Sequence, residues 1–412
     1  MTKIINKTLD NGLKVIIVEN KEKHRSDALI SIKAGGHSTF YIKDGIKHNL
    51  KNGLAHFLEH YLIEKGRETN LGEYFSLESI DFNGITYDNK TEFYISTVHD
   101  FKKNLSILLK MINKPIFSKE LIEDVKKPII EEIKRANDNK LRKEYREKTK
   151  ALYKNLPGDI TLGIEEDIKN VTIEELEEFH NTFYTPDKEL ITIYTNNNSE
   201  SILKLIEKEY KNIKNNNIEE VFIKEPLEVK QKELTIVNKE NDPFIQLVFK
   251  VDISKYDPFT RLKLDGYLMY FFKHNFGDES KLFKELIDKK LSLYSINYKT
   301  HFTSKQDYLE LEITIYTENY SKSKELILNT IDNLEYDEHS FKIWKNNLLI
   351  DYITVCDNNF FENRTMLTNY YAYNIDYLED IEDIKSLNLE EGIKLINNLE
   401  FNNYLTIKRV KE

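Results

Sequence analysis

The chain has 412 residues, which is too long for one ordinary hydrophobic core and predicts two or more domains. Its 40% hydrophobic and 32% charged residues are typical of a globular protein, and its net charge of −10 argues against nonspecific binding to nucleic acid or anionic membranes. A single cysteine excludes an intrachain disulfide, and neither a signal peptide nor a membrane-spanning run is recognisable, so we expect a cytoplasmic protein.

The first half of the chain alternates between strand-like and helix-like segments. Apolar alternation and β-branched residues predict strands in 13–20, 27–36 and 190–196, and turn residues predict a hairpin in 77–99. After a polar segment, 37–52, the helical periodicity predicts helices at about 54–65, 101–113, 118–150 and 171–188. Pro128 predicts a kink in the third of these helices, and Thr172 can cap the fourth.

The second half repeats this order after a polar, Asn-rich stretch, 211–233. Residues 243–252 resemble strand 27–36, and 262–277 take the place of helix 54–65. The stretch 292–331 again combines a hairpin with a helix, so we predict an internal duplication of about 200 residues per half. The alternative is a chance likeness of two unrelated modules.

We therefore predict an α+β fold of two duplicated domains, each a mainly antiparallel sheet with helices packed on one face. The predicted boundaries are 1–215 for the first domain, 216–233 for a linker, and 234–412 for a second domain without a metal site.

The motif with the clearest chemistry is "GLAHFLEHYLIEKG" at 53–66. On a helix, His56 and His60 are four residues apart and project from one face, as two imidazole ligands of one Zn²⁺ must. Glu59 lies on the same flank and can take a proton from water that the metal has acidified. The alternative is a polar edge of an ordinary core helix.

A catalytic zinc ion usually needs a third protein ligand, and the stretch "PIIEEIKRANDNK" at 128–140 offers one. Glu131 and Glu132 interrupt an apolar patch there, so one of them has a reason to point inward. Two histidines and a glutamate are the ligands of zinc hydrolases. The spacing leaves the choice between Glu131 and Glu132 open.

H-x-x-E-H is an inverted zinc-peptidase motif, and the chain resembles the M16 peptidase family, which includes pitrilysin, insulin-degrading enzyme and mitochondrial processing peptidase. The likeness covers nearly the whole length, through "LDNGLKVIIVEN", "GLAHFLEHYLIEKG", "FNGITYDNKTEFYIS", "PIFSKE…IIEEIK" and "SKLFKELIDKKLSLYSI". The resemblance implies one Zn²⁺ per chain, bound by His56, His60 and Glu132, with Glu59 as general base. It also implies that Asn83 and Gly84, in "FNGIT", bind a peptide substrate as an added strand.

Two positions depart from the family pattern. Family members commonly have an acidic residue seven positions before the third ligand, where this chain has Val125; Asp124 is adjacent and lies seven before Glu131. The family also has an arginine and a tyrosine that reach the zinc site from the second half. Here Tyr294 matches the tyrosine as a catalytic residue, but Ile287 replaces the arginine and cannot donate a charge-assisted hydrogen bond.

The resemblance and Ile287 together predict the partners. Half-length family members resemble one jaw of a clamshell, and some pair with a paralogue that supplies the arginine and the tyrosine. We therefore expect a zinc endopeptidase acting on short or unfolded peptides as the metal-bearing subunit of a heterodimer, with a homodimer as the alternative. Removal of leader segments and general peptide turnover are both compatible with these residues. The alternative outside catalysis is a scaffold or peptide-binding subunit.

Overall fold

The computed structural model describes residues 3–65, 70–216, 218–219, 223–292, 294–302, 306–356 and 381–411. The chain divides into two compact units. Among the described residues, the first unit consists mainly of those within 1–143 and 159–221, and the second mainly of those within 144–158, 222–354 and 368–412.

The first unit contains a six-stranded sheet, a small three-stranded sheet and a layer of helices. Its strands are β1 (Lys3–Thr8), β2 (Lys14–Glu19), β3 (Ser26–Ile32), β4 (Phe40–Lys43), β5 (Ile46–Asn49), β6 (Asp81–Thr86), β7 (Thr91–Thr97), β8 (Glu189–Thr195) and β9 (Ile218–Glu219). Its helices are α1 (Leu54–Lys65), α2 (Leu71–Leu77), α3 (Phe101–Asn113), α4 (Lys119–Asp138), the start of α5 (Lys140–Leu152), α6 (Glu165–Lys169), α7 (Ile173–Phe183) and α8 (Ser199–Tyr210).

The large sheet has the strand order β1-β2-β8-β3-β7-β6, which makes β6 an edge strand. All neighbouring strands are antiparallel except β2 and β8. The core lies between this sheet and the helices, where Phe57, Phe93, Leu105 and Ile191 are completely buried. The helix carrying the H-x-x-E-H motif, α1, packs in this core against α4 and β6.

The second unit is built in the same way around a five-stranded sheet. Its strands are β10 (Glu233–Val237), β11 (Phe244–Asp252), β12 (Asn297–Phe302), β13 (Tyr308–Tyr316) and β14 (Tyr404–Val410). Its helices are α9 (Pro258–Phe276), α10 (Lys281–Asp288), α11 (Tyr320–Asp332), α12 (Glu338–Cys356), α13 (Ile381–Ser386) and α14 (Leu389–Ile396).

The two sheets share one topology, as the predicted duplication requires. The order β10-β14-β11-β13-β12 repeats β2-β8-β3-β7-β6, and the parallel pair is β10 with β14 in the second unit and β2 with β8 in the first. Helix α9 follows β11 as α1 follows β3, although the hairpin of β4 and β5 separates the latter pair. The predicted α+β class, with two mainly antiparallel sheets, is therefore confirmed.

Two local predictions differ from the structure. The polar segment 37–52 contains the hairpin of β4 and β5, whose turn at Asp44 and Gly45 adopts positive φ angles. The predicted helix 118–150 is two helices, and α4 remains helical through Pro128. The break falls at Asn139, which is extended and accepts a hydrogen bond from the backbone N–H of Arg142 through its side chain, so it caps α5.

The predicted linker is held firmly to the second unit at Glu225. This carboxylate is buried and accepts hydrogen bonds from the backbone N–H groups of Lys154, Asn155 and Leu156, at 2.7–2.9 Å. Lys250 adds an ion pair of 2.8 Å. The segment after 222 thus belongs to the second unit structurally, whereas the boundaries of the domains remain a prediction.

No helix among the described residues combines the length and the apolar character needed to span a membrane.

Candidate active site

Helix α1 holds both histidines and the glutamate of the motif at a polar edge of the first unit's core. Its start is close to another backbone, because Gly53 has a φ of 83° and a Cβ there would lie 2.7 Å from the Cα of Gly163. Most of the helix surface is buried, and His56 and Glu59 are each only 6% exposed. The rings of His56 and His60 lie 4.6 Å apart, nearly perpendicular.

Glu132, on α4, completes a triangle with the two histidines. Its Oε2 lies 3.5 Å from Nε2 of His56 and 3.6 Å from Nε2 of His60, and the three ligand atoms all lie within 4.8 Å of one another. Ligand atoms around a tetrahedral zinc ion, with bonds of about 2.0–2.1 Å, are separated by about 3.3 Å. The donor set and its spacing therefore fit a zinc ion.

The two carboxyl groups predicted as alternatives point in different directions. Glu131 and Asp124 are exposed on the outer face of α4, whereas Glu132 lies against the histidines. Val125, seven positions before Glu132, is completely buried. The structure thus brings Glu132 to the cluster and leaves Glu131 outside it.

Burial and the mutual charges of the three groups shift their pKa values. Burial lowers the pKa of His56 to about 4, so its imidazole is neutral and has a lone pair to donate. Burial acts in the same direction on His60, but Glu132 and Glu59 outweigh it and raise the pKa of His60. The imidazole of His60, whose Nε2 lies 3.6 Å from Oε2 of Glu132, lowers the pKa of Glu132 and so favours its anionic form.

The side chain of Glu59, on α1, lies against the edge strand β6. Thr86, on β6, donates a hydrogen bond of 2.8 Å from Oγ1 to Oε2 of Glu59. Gly84 permits this approach, because a Cβ there would lie 2.9 Å from Cγ of Glu59 and 2.8 Å from Cδ1 of Ile63. Burial raises the pKa of Glu59. One of its oxygens is held by Thr86, and the other remains near the strand edge.

The remaining predicted residues are placed less directly. Asn83 is exposed and precedes Gly84, so its side chain points to the opposite face of β6, and its Oδ1 accepts a hydrogen bond of 3.0 Å from the N–H of Gly84. Tyr294 lies in the second unit and donates its hydroxyl hydrogen to Asp242 at 2.8 Å. Ile287, on α10, is 48% exposed. The roles of Asn83 and Tyr294 stay predictions.

Several neighbours of the cluster gave no clear signal in the sequence. Arg142 donates two hydrogen bonds to Asp159, of 2.7 and 2.8 Å, and its positive charge contributes to the low pKa of His56. Tyr184 is buried within reach of the charge of Glu59, and its ring stacks on His180. Thr86 and Gly84 are two residues apart on β6 and so share a face of the strand, a pattern that could have indicated the contact of Thr86 with Glu59. No such pattern links Arg142 to Asp159.

Comparisons with known proteins agree with this architecture. Residues 14–160 match the family described as insulinase (peptidase family M16), and residues 170–348 match the peptidase M16 inactive domain. The chain therefore belongs to the M16 peptidase family. The first match lies mostly in the first unit, and the second begins in the first unit and continues through most of the second.

Curated relatives include zinc proteases from bacteria. The uncharacterized zinc protease YmfH of Bacillus subtilis is 28% identical over 193 residues, which are 46% of this chain and 45% of that protein. The zinc protease PqqE of Helicobacter pylori is 25% identical over 300 residues, which are 69% of this chain and 63% of that protein. The matched segments thus span less than two thirds of either relative.

Solved structures resemble the whole chain. An M16-like peptidase from Alicyclobacillus acidocaldarius is similar with a TM-score of 0.85 and 20% identity, over 100% of this chain and 99% of that one. A protease from Helicobacter pylori is similar with a TM-score of 0.77 and 21% identity, over the full length of both chains. These likenesses show the fold.

Proposed function

We propose that the chain is a zinc-dependent endopeptidase that cleaves short or unfolded peptides, and that it is the metal-bearing subunit of a clamshell dimer. The observation that carries this proposal is the triangle of His56, His60 and Glu132, with Glu59 between it and an edge strand. A scaffold has no need of three ligands converging beside a buried carboxylate.

Three residues of the site would bind the metal, and a fourth would transfer the proton. His56, His60 and Glu132 would hold one Zn²⁺, which when bound supplies a Lewis acid for the peptide carbonyl and acidifies water. Glu59, held by Thr86 through one oxygen, would accept the proton of water through the other and deliver it to the leaving nitrogen. Its raised pKa brings it closer to the range in which a carboxylate can both accept and release a proton.

Substrate would bind along β6. An edge strand exposes backbone N–H and C=O groups that have no neighbour in the sheet, so an extended peptide can pair with it. Gly84 brings this edge close to Glu59, which would place a bound peptide beside the base. Main-chain pairing selects for unfolded or short peptides, because a folded protein has no free strand to offer.

The dimer is inferred from Ile287. An exposed isoleucine at this position supplies no guanidinium for the developing oxyanion, so a paralogous subunit would provide the arginine and tyrosine. A homodimer is the alternative. Co-purification from the native host identifies the partner, and robust peptide cleavage by the purified chain alone would contradict the heterodimer. Peptide maturation, leader removal and a cytoplasmic location remain predictions.

Glu59→Gln tests the mechanism. The amide keeps the hydrogen-bond acceptor for Thr86 and spares the ligands, so zinc content should be unchanged while cleavage of unstructured fluorogenic peptides falls at least 100-fold, as expected for loss of a general base. Glu78→Gln, an exposed acid at the end of α2, is the matched control and should cleave like the wild type. Wild-type turnover by the Glu59 variant would refute the assigned base.

A non-catalytic scaffold is the second candidate, and the missing guanidinium at Ile287 favours it. Zinc content separates the two proposals. About one zinc ion per chain with chelator-sensitive cleavage, tested together with the co-purified partner, supports the enzyme. A chain without zinc, inactive with every partner, supports the scaffold.

A further inference from the structure

The imidazole of His56 has one nitrogen without a hydrogen-bond partner in the described part of the chain. Its Nε2 faces Glu132, but its Nδ1 is buried and has no hydrogen-bond partner among the described residues. A neutral histidine that offers Nε2 to a metal must carry its proton on Nδ1. That N–H group has lost water without gaining an acceptor, which is unfavourable.

His60 differs in this respect. Its Nδ1 lies 3.7 Å from Oε1 of Glu64, one helical turn further along α1, and its side chain is 25% exposed. A carboxylate and solvent are therefore both available to its second nitrogen. Both histidines face Glu132, but among the described residues only His60 has an acceptor near its Nδ1.

The buried side of α4 that carries Glu132 offers no hydrogen-bond acceptor next to it. Val125 lies seven residues before Glu132, which is two helical turns, so both project from the same side of α4. Val125 and Ile129 are completely buried there, and Ile133 nearly so. None of these side chains has an oxygen that could accept the Nδ1 hydrogen.

We infer that His56 is the weak ligand of this site, so that the chain binds zinc loosely and its occupancy follows the zinc supply. The inference rests on the proposed function, because it concerns the metal of that site. A partner on the second nitrogen of a histidine ligand orients the ring and increases its basicity, and losing such a partner typically costs 10–100-fold in metal affinity. An acceptor at position 125 should restore a comparable factor.

The test compares zinc affinities by competition with a chromogenic chelator. Val125→Glu places a carboxylate on the side of α4 that carries Glu132, two helical turns earlier, and Val125→Met has similar length without an oxygen. We expect Val125→Glu to bind zinc at least 10-fold more tightly than the wild type, and Val125→Met to stay within about 3-fold of it. A folded Val125→Glu protein that binds zinc no more tightly than Val125→Met would overturn the inference.

A second measurement covers the case in which a buried glutamate prevents folding. In the zinc-loaded wild type, the ¹⁵N and ¹H shifts of the His56 ring should be those of an N–H group without an acceptor, whereas shifts of a hydrogen-bonded Nδ1 would overturn the inference. Failure of the proposed function has a different result. A wild-type chain that binds no zinc would reject the metal site itself. A chain that binds zinc but shows a hydrogen-bonded Nδ1, or gains no affinity from Val125→Glu over Val125→Met, would reject only the weak-ligand inference.

Discussion

The hydroxyl of Thr86 donates a 2.8 Å hydrogen bond to Glu59, and this bond joins the edge strand to the motif helix. It places the proposed general base, Glu59, beside the strand to which we propose that substrate binds. It also restrains the carboxylate, since one of its two oxygens is occupied. The position of Glu59 therefore depends on a residue of a different secondary structure element.

Thr86→Val should reduce catalysis without removing the metal. Valine has the shape of threonine but cannot donate, so Glu59 loses the bond that orients it. We expect kcat to fall about 10-fold, which corresponds to ~1.4 kcal/mol in the barrier. Steady-state kinetics and zinc analysis measure the two effects. Thr86→Ser keeps the hydroxyl and should retain most of the activity; a loss as large as that of valine would argue against the hydrogen bond.

Gly84→Ala should disturb both the strand and the base. Its Cβ would lie under 3.0 Å from Cγ of Glu59 and Cδ1 of Ile63, so the strand or the side chains must move. We expect a loss of about 1–3 kcal/mol in the free energy of unfolding, and reduced peptide cleavage. Gly266→Ala is the control within α9, where a Cβ meets nothing within 4 Å. It should stabilise by about 0.5–1 kcal/mol. Equal effects of the two variants in thermal unfolding would contradict the close approach at Gly84.

Glu132→Gln and Glu131→Gln distinguish the two neighbouring acids. Glu132 lies 3.5–3.6 Å from both histidines, so its amide variant should lose most of the bound zinc. Glu131 is exposed, and its variant should keep about one zinc ion per chain. Metal analysis after dialysis measures both proteins. If only the Glu131→Gln variant lost zinc, Glu131 rather than Glu132 would be the ligand.

Glu189→Gln should change how stability depends on pH. Burial raises the pKa of Glu189 to about 7, and Tyr210 donates a hydrogen bond to its carboxyl group. The folded state therefore keeps this proton up to about pH 7, whereas the unfolded chain releases it near its ordinary value of 4.5. Between these values the unfolded state binds fewer protons, so wild-type stability should fall as the pH rises.

The glutamine variant has no proton to lose at this position. It should be more stable than the wild type at pH 8, by roughly 2 kcal/mol, and differ little at pH 5. Thermal unfolding of both proteins at the two pH values gives the comparison. Parallel stability curves for wild type and variant would mean that Glu189 does not titrate in this range.

The sequence by itself predicted the class of fold, because the order of apolar patterns repeats in the two halves. Apolar alternation indicated β3, and turn residues indicated the hairpin of β6 with β7. The likeness of the second half to the first then indicated β11 and the hairpin of β12 with β13. It also brought His56 and His60 together, since four residues on a helix are one turn. These features are local or periodic, so they can be recognised in the sequence alone.

The tertiary structure decided which distant groups meet this helix. Glu131 and Glu132 are neighbours in sequence, and a helix turns by about 100° between them, so only the packing of α4 against α1 brings Glu132 inward. Contacts across β6 likewise brought Thr86 to Glu59. Folding also buried His56 Nδ1 away from every acceptor in the part of the chain that the structure describes. Such contacts depend on the rotation and spacing of whole elements, which are set by how the core packs rather than by the periodicity of any one segment.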